Sequence, residues 1–187
     1  MRGGSERPEA QPNGEIIVAA GGGAVGDALF EASIDAAKIA DLPMRILVGG
    51  AEREARIAGF RERADGANIT VEGVRPDFRA LLAGCEASIL QCGYNTALDI
   101  VATEARVVFC PFEGPGGETE QLMRSKAFQE RCGSGLVREK DLSAAALIEA
   151  LSQLRSGPRP DYSAVALGGA ERSVTILEGL YNQRINA

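Results

Sequence analysis

Residues 15–26 read EIIVAAGGGAVG, and this stretch sets the expectation for the whole fold. The apolar run Ile16–Ala20 has the length of one strand and shows no alternation with polar residues, which is typical of a strand buried on both faces of a parallel sheet. Three glycines end the run, and an amphipathic helical pattern follows over about residues 26–40. The stretch therefore predicts the first strand–turn–helix unit of an α/β protein.

The alternation of strand and helix patterns continues along the chain. Further strands are predicted at about residues 44–50, 68–71, 87–90, 106–110 and 136–137, and further helices at about 51–64, 76–82, 95–103, 119–131, 142–154 and 170–184. Parallel strands joined by right-handed crossovers form one sheet with helices on both faces. We therefore expect a single doubly wound, Rossmann-like α/β domain over residues 15–187, with closing helices at its C-terminal end. Residues 1–14 (MRGGSERPEAQPNG) are rich in Gly, Pro and charge without apolar periodicity, and we expect a linker or tail there.

The composition excludes several classes of function. The 187-residue chain has 20 Lys and Arg against 26 Asp and Glu, a net charge of −6, whereas nucleic-acid-binding modules need clustered positive charge. No nucleic-acid partner is therefore expected. The chain has no histidine, which excludes Ser-His-Asp triads, Cys-His dyads and HExxH zinc sites formed by this chain alone. Any general base within the chain must be Asp or Glu.

The four cysteines have the surroundings of core residues. Cys85, Cys92, Cys110 and Cys132 form no CxxC pair, and each lies in or beside an apolar stretch. We expect free, unreactive thiols and a reducing, cytoplasmic location. The sequence contains no apolar stretch of about 18 residues and no signal-peptide layout, so we expect a soluble protein.

The first of three unusual loops is the glycine-rich segment Gly21–Gly26, between the first strand and the first helix. Glycines let backbone N–H groups approach an anion closely, and a helix N-terminus adds partial positive charge. The letters also satisfy GxGxxG, but a dinucleotide site needs an acid at the end of the second strand, which ends here in Gly49-Gly50 with Glu52 beyond it. A loop facing a phosphate or sugar, a dinucleotide site and a simple tight turn all stay open at this point.

The second loop, residues 91–99 (QCGYNTALD), again runs from strand through glycine into helix. Thr96 falls in the first helical turn, where its hydroxyl and the free N–H groups could together hold a phosphate. Asp99 lies three residues further on the same helix face and could reach ribose hydroxyls. The alternative is that Thr96 is a capping residue and Asp99 a favourable first-turn anion.

The third loop, residues 111–121 (PFEGPGGETEQ), contains three carboxylates and ends in a helix start where two of them and a glutamine fall within four residues. Glu120 and Gln121 are side chains that can hydrogen-bond sugar hydroxyls. The alternative is an ordinary helix N-terminus with Thr119 as its cap and acids that match the helix dipole.

Taken in order, these three loops resemble those in the C-terminal half of GT-B glycosyltransferases. The resemblance is nearest to the MurG type (family 28), which transfers N-acetylglucosamine from UDP-GlcNAc to a lipid-linked acceptor. It runs from about Glu15 to Leu154 and is strongest over Gln91–Gln121. It implies a transferase that uses a nucleotide-diphospho-sugar donor of the UDP-GlcNAc type, with neither cofactor nor metal. No DxD-like acidic pair stands beside a predicted strand end.

The resemblance also implies roles for individual residues. Gly21, Gly22 and Gly23 correspond to the family's glycine turn near the diphosphate, and Gly93, Asn95 and Thr96 correspond to the small-residue loop that contacts the diphosphate. Asp99 corresponds to the glutamate that binds the ribose, and Glu120 and Gln121 correspond to the Gln-Gln pair that binds the donor sugar. Arg75 corresponds to the place where the family's backbone contacts the nucleotide base. Three departures accompany these roles. The Ser of the family's first turn is Gly23 or Ala24 here, Asp99 is one methylene shorter than Glu, and Glu120 puts a charge where the family has a neutral amide.

GT-B enzymes place the active site between two Rossmann-like domains, and the resemblance covers only the donor-binding one. It implies an acceptor-binding N-terminal domain, in cis or as a partner subunit, that supplies the catalytic base and any peripheral contact with a membrane. We expect either a piece cut within an interdomain linker or a natural half-enzyme, inactive as a hexosyltransferase on its own. A sugar-nucleotide hydrolase or epimerase half and a non-catalytic Rossmann nucleotide-binding module are the alternatives.

The last predicted helix carries a single apolar stripe. Val174, Leu177, Tyr181 and Ile185 are spaced by 3, 4 and 4 residues, so they share one helix face. If this face is covered by the chain's own core, the helix is an ordinary closing helix. If it is uncovered, we expect a weak homodimer or a mobile C-terminus.

Overall fold

The fold is described from a computed structural model, which describes residues 14–21, 26–114, 119–165 and 168–185. Its strands are β1 (Ile16–Ala19), β2 (Met44–Val48), β3 (Ile69–Gly73), β4 (Ala87–Leu90), β5 (Val107–Phe109) and β6 (Gly135–Leu136). Its helices are α1 (Asp27–Ala40), α2 (Arg53–Arg63), α3 (Phe78–Gly84), α4 (Tyr94–Thr103), α5 (Glu120–Cys132), α6 (Ala144–Ser156) and α7 (Gly169–Ile185), with a short 3₁₀ helix at Glu139–Asp141. The predicted tail up to residue 13, and Gly22 and Gly23 of the first loop, lie outside the described residues.

All pairings in the described sheet are parallel, and the strand order is β3-β2-β1-β4-β5-β6. The chain builds outward from β1 in one direction through β3 and then crosses back to place β4 on the other side of β1. The order therefore reverses between β1 and β4, which is the position where doubly wound sheets bind ligands. The predicted doubly wound, Rossmann-like sheet is confirmed.

Two cores lie on the two faces of the sheet, because successive side chains of a strand point to opposite sides. Ile16 and Val18 of β1 belong to the core that contains Phe30 of α1 and Leu147 of α6. Ile17 belongs to the opposite core, beneath the layer of α3, α4 and α5. All three β1 side chains are fully buried, which explains why the sequence of this strand shows no polar alternation.

The predicted element boundaries differ from the observed ones by one or two residues at most ends, and the difference at α6 has a clear cause. The sequence pattern starts this helix at Leu142, whereas α6 begins at Ala144. Ser143 is its N-cap, and the Ser143 hydroxyl accepts a hydrogen bond of 3.2 Å from the Ala146 N–H. The 3₁₀ helix just before it uses the preceding residues, so Leu142 belongs to neither helix.

The C-terminal helix α7 has a half that is apolar and exposed. Every described side chain from Glu171 to Tyr181 is exposed. The apolar ones are 53–67% exposed: Val174, Ile176, Leu177, Leu180 and Tyr181. This part of α7 is therefore not covered by the described residues of its own domain, and the side chain of Ile185 lies outside the described part. Within the described residues, no helix has the length and apolar character that crossing a membrane requires.

Candidate functional site

The loops after β1, β4 and β5 meet at the carboxyl edge of the sheet. Ala19 is paired with Leu90, and Leu90 with Phe109, so these three strands end side by side. Gly21, Gln91 and the start of the third loop therefore leave the sheet at neighbouring positions on the two sides of the switch point. The topology thus brings the described ends of the three predicted loops to one edge of the sheet.

Gln91 joins the first loop to the second. Its side chain is buried, and its Oε1 accepts a hydrogen bond of 3.0 Å from the Gly21 N–H. The Gln91 N–H in turn donates to the Ala19 carbonyl at 3.3 Å. We did not predict a site role for Gln91. The signal was available, because a polar residue between an apolar strand and a glycine is unusual unless its side chain has a partner.

Gly26 closes the first loop by close packing. A Cβ added at Gly26 would lie 2.1 Å from Cβ of Ala20, so only glycine lets the start of α1 come so near the end of β1. The third glycine of the GxGxxG pattern thus has a packing explanation. Gly49 and Gly50 follow β2 without a carboxylate, and Glu52 is the exposed N-cap residue of α2. These features give the dinucleotide alternative no support.

The N-terminus of α4 faces the same edge. Gly93, and not Thr96, is its N-cap residue, so the capping alternative for Thr96 is wrong. The first intrahelical bond is donated by Ala97 to the Gly93 carbonyl at 3.0 Å, which leaves the preceding N–H groups of the first turn without helical partners. Asn95 is exposed and Thr96 half-buried among these N–H groups. This is an anion-binding geometry.

Asp99 lies in the second turn of α4, so the alternative that makes it a first-turn anion is also wrong. Its side chain is 16% exposed and pairs with the guanidinium of Arg79 from α3, whose side chain is 68% exposed. The carboxylate therefore lies between two helices, mostly covered, with an exposed arginine side chain as its partner. A ligand hydroxyl that binds the Oδ1 atom of Asp99 would compete with Arg79.

The side chains of Glu120 and Gln121 have different surroundings. The Gln121 Oε1 accepts a hydrogen bond of 3.3 Å from the Phe112 N–H, so this side chain turns back to the loop after β5. The Glu120 side chain is 90% exposed. Thr119 is the N-cap residue of α5, but its side chain makes no capping hydrogen bond, which weakens the alternative of an ordinary capped helix.

A cluster around Glu113 fixes the start of the third loop. Arg138 Nε donates to the Glu113 carboxylate at 3.1 Å, and the Glu139 N–H donates to the same carboxylate at 3.2 Å. The Glu113 N–H donates back to the Glu139 carboxylate at 2.6 Å. The hydrogen bonds from Arg138 lower the pKa of Glu113 below its ordinary value. This cluster was not predicted, because its two halves are 25 and 26 residues apart.

Arg75 lies beyond the end of β3, the outermost strand on its side of the sheet. Its guanidinium donates to Asp77 at 2.7 and 2.8 Å and to Glu72 at 3.5 Å. These hydrogen bonds, above all those that Arg75 donates to Asp77, raise the pKa of Arg75, and the same hydrogen bonds lower the pKa of Asp77. The other predicted residues that the structure describes follow β1, β4 and β5, whereas Arg75 follows β3 at the edge of the sheet.

Arg124 connects α5 to the end of β4. Its Nη1 donates to the Cys92 carbonyl at 2.6 Å, and its guanidinium carbon lies 5.6 Å from the centre of the Tyr94 ring. Cys92 immediately precedes the Gly93 cap, so Arg124 contacts the backbone that leads into the N-terminus of α4. We did not predict this residue, because nothing local in the sequence links it to the second loop.

The cysteines behave as the sequence predicted. Cys85, Cys92, Cys110 and Cys132 are all free and buried. Burial raises the pKa of each thiol, that of Cys85 to about 12, so none of them is a thiolate at neutral pH. Among the residues that the structure describes, no group of three or more His, Cys, Asp or Glu side chains is placed to hold a metal ion.

Comparison with solved structures identifies the fold. MurG of Acinetobacter baumannii superposes with a TM-score of 0.61 at 19% identity over 81% of this chain and 43% of its own. Os79 of O. sativa, in complex with UDP, superposes with a TM-score of 0.59 at 16% identity, over 80% of this chain and 33% of its own. The glycosyltransferase VinC, in complex with dTDP, superposes with a TM-score of 0.53 at 17% identity, over 79% of this chain and 35% of its own. No protein-family model and no curated protein matches the sequence. The chain spans 33–43% of the length of these structures. It has the Rossmann-like fold of one half of a GT-B glycosyltransferase and fits the C-terminal type of that half.

Proposed function

We propose that the chain is the donor-binding half of a glycosyltransferase that uses a nucleotide-diphospho-sugar of the UDP-GlcNAc type. The observation that carries the proposal is the meeting of three loops at the switch point, with Gln91 joining Gly21 to the strand that leads into α4. The fold likeness agrees with this, since Os79 was solved with UDP and VinC with dTDP. Those ligands belong to those proteins, and the donor of this chain is our inference.

The N-terminus of α4 is the proposed diphosphate site. Its unpartnered N–H groups and the Thr96 hydroxyl supply donors, and the helix dipole adds partial positive charge where the leaving diphosphate develops negative charge. Neutralisation by backbone groups requires no metal ion. Asn95, exposed beside Thr96, would contact the same phosphates. Gly22 and Gly23, which lie outside the described residues, are proposed as further contacts of the diphosphate on the basis of the family resemblance.

The remaining donor contacts follow from the neighbouring helices. Asp99 would accept hydrogen bonds from the ribose hydroxyls after exchange with Arg79. Gln121 and Glu120 would hydrogen-bond the sugar at the mouth of the third loop, and Arg75 would stand near the base.

The chemistry of transfer is proposed to need a second domain or subunit. The chain has no histidine, and its proposed site residues bind the donor rather than an acceptor hydroxyl. We propose that an acceptor-binding partner, in cis or in trans, supplies the general base, and that the chain alone does not transfer a hexosyl group.

Isothermal titration of the 187-residue chain tests the proposal most directly. The chain is titrated with UDP, UDP-GlcNAc, dTDP and GDP, each with and without magnesium. We expect saturable binding of at least one of these ligands, with an affinity that magnesium leaves unchanged. Absence of binding of all of them at millimolar concentration would overturn the donor-site proposal.

A further inference from the structure

Arg124 stands between the two helix N-termini that border the proposed donor site. It lies one turn after Glu120 in α5 and reaches the Cys92 carbonyl, at 2.6 Å, and the Tyr94 ring, both at the entrance to α4. Its side chain is 23% exposed, so neighbouring residues cover most of it and part of it is accessible to solvent. A guanidinium has five N–H donors, and the bond to Cys92 uses one of them.

The charges around the carboxyl edge of the sheet single out this arginine. Four other arginines at this edge each hydrogen-bond a carboxylate: Arg56 with Asp27, Arg75 with Asp77, Arg79 with Asp99, and Arg138 with Glu113. The carboxylate of Glu120, in contrast, lies 4.0 Å from Arg124, and the Glu120 side chain is 90% exposed. The positive charge of Arg124 is therefore less neutralised than that of the other four.

A bound diphosphate would need such a charge. It brings at least two negative charges to a chain of net charge −6 and to a helix start that already carries Glu120. Helix N-termini supply only partial charges, each equivalent to about half an elementary charge. A planar guanidinium fork matches phosphate oxygens and forms bonds that are stronger than those from neutral donors.

We infer that Arg124 contacts the diphosphate of the nucleotide donor while it holds the Cys92 carbonyl. The inference rests on the proposed function, because it assigns a further residue to the same site. Glu120 is then the exposed carboxylate that the diphosphate replaces as the partner of Arg124. If Arg124 only positioned the start of α4, it would contact the Cys92 carbonyl and the Tyr94 ring but not the diphosphate.

The test compares Arg124→Met with the wild-type chain and with the matched control Arg131→Met. Arg131 is an exposed arginine in the last turn of the same helix. The probes are UDP, UMP and uridine, titrated at two salt concentrations. For Arg124→Met we expect UDP affinity to fall at least about tenfold and uridine affinity to stay within about twofold of wild type. The salt dependence of UDP binding should also weaken, whereas Arg131→Met should bind all three probes as the wild type does.

Labelling of the wild-type chain by phenylglyoxal gives a second readout that does not depend on a variant's folding. We expect UDP, but not uridine, to protect Arg124 from modification while Arg131 is modified equally in all samples. If the wild-type chain binds no UDP, the proposed function falls and this inference with it. If it binds UDP but Arg124→Met weakens UDP and uridine equally, or if UDP leaves Arg124 unprotected, the donor site stands and the contact with Arg124 is refuted.

Discussion

At the scale of single residues, the pair of Asp99 and Arg79 decides how the ribose end of the proposed site works. If Asp99 holds ribose hydroxyls, Asp99→Asn removes charge-assisted hydrogen bonds and should cost about 1.5–3 kcal/mol of nucleotide binding free energy. The free energy of unfolding should change by less than about 1 kcal/mol, since the ion pair with the exposed Arg79 is a surface pair. Calorimetric titration and thermal denaturation of the same sample measure both. Unchanged affinity would remove Asp99 from the site.

Arg79→Gln tests the same pair from its other side. Because a ribose must displace Arg79 from Asp99, removal of the guanidinium frees the carboxylate in advance. Exposed ion pairs contribute about 0.2–1 kcal/mol, so we expect nucleotide binding to tighten by up to about fivefold. A weaker affinity in Arg79→Gln would show that Arg79 itself contacts the ligand and does not compete with the ribose for Asp99.

At the scale of elements, close approach rather than turn conformation explains why a glycine ends the first loop. In Gly26→Ala the new Cβ would overlap Cβ of Ala20 at 2.1 Å, so α1 must move from β1. We expect a loss of about 1–3 kcal/mol in the free energy of unfolding, as for overpacked cores. The matched control is Gly59→Ala in α2, where an added Cβ meets nothing within 4 Å and alanine should stabilise the helix by about 1 kcal/mol. Equal stability of the two variants in urea denaturation would contradict the packing argument.

The Glu113 cluster predicts a specific part of the response to acid. Hydrogen bonds from Arg138 lower the pKa of Glu113 in the folded chain. The stability that this carboxylate contributes is therefore fully present above its unfolded pKa of about 4.3 and is lost as the pH falls through the lower folded pKa. Glu113→Gln should be less stable than wild type at pH 7, and the difference should shrink as the pH approaches 3. Melting curves at several pH values measure it; a difference that stays constant with pH would exclude Glu113 as its source.

The sequence predicted the elements well because their signals are local. An unbroken apolar run indicates a strand buried on both faces, and a glycine such as Gly133, with φ of 77°, ends a helix wherever it occurs. The contacts within the candidate site are of another kind. Gln91 meets Gly21 across 70 residues and Arg124 meets Cys92 across 32, so their roles depend on which strands become neighbours. Local patterns could find the three loops but not the side chains that join them.

At the scale of the whole molecule, α7 differs from the other described helices because its described apolar side chains do not pack into the domain core. Its apolar side chains Val174, Ile176, Leu177, Leu180 and Tyr181 spread over about half of the helix circumference, given 100° per residue. Thr175 lies on the opposite, polar half, and all these side chains are exposed. A contiguous apolar face of this kind is typical of a surface that binds another protein surface.

We predict that the isolated chain dimerises weakly through α7, because pairing two such faces removes apolar area from water at about 25 cal/mol per Å². Sedimentation velocity should show a monomer at low micromolar concentration and a growing dimer fraction as the concentration approaches a millimolar. Leu177→Glu should abolish the dimer, whereas Thr175→Glu on the polar half should leave it unchanged. Amide hydrogen exchange over residues 170–185 should slow as the dimer forms, since fraying of the helix then requires dissociation. If the chain stays a monomer across this concentration range, the dimer prediction is wrong, and the apolar half of α7 does not bind a second copy of the chain.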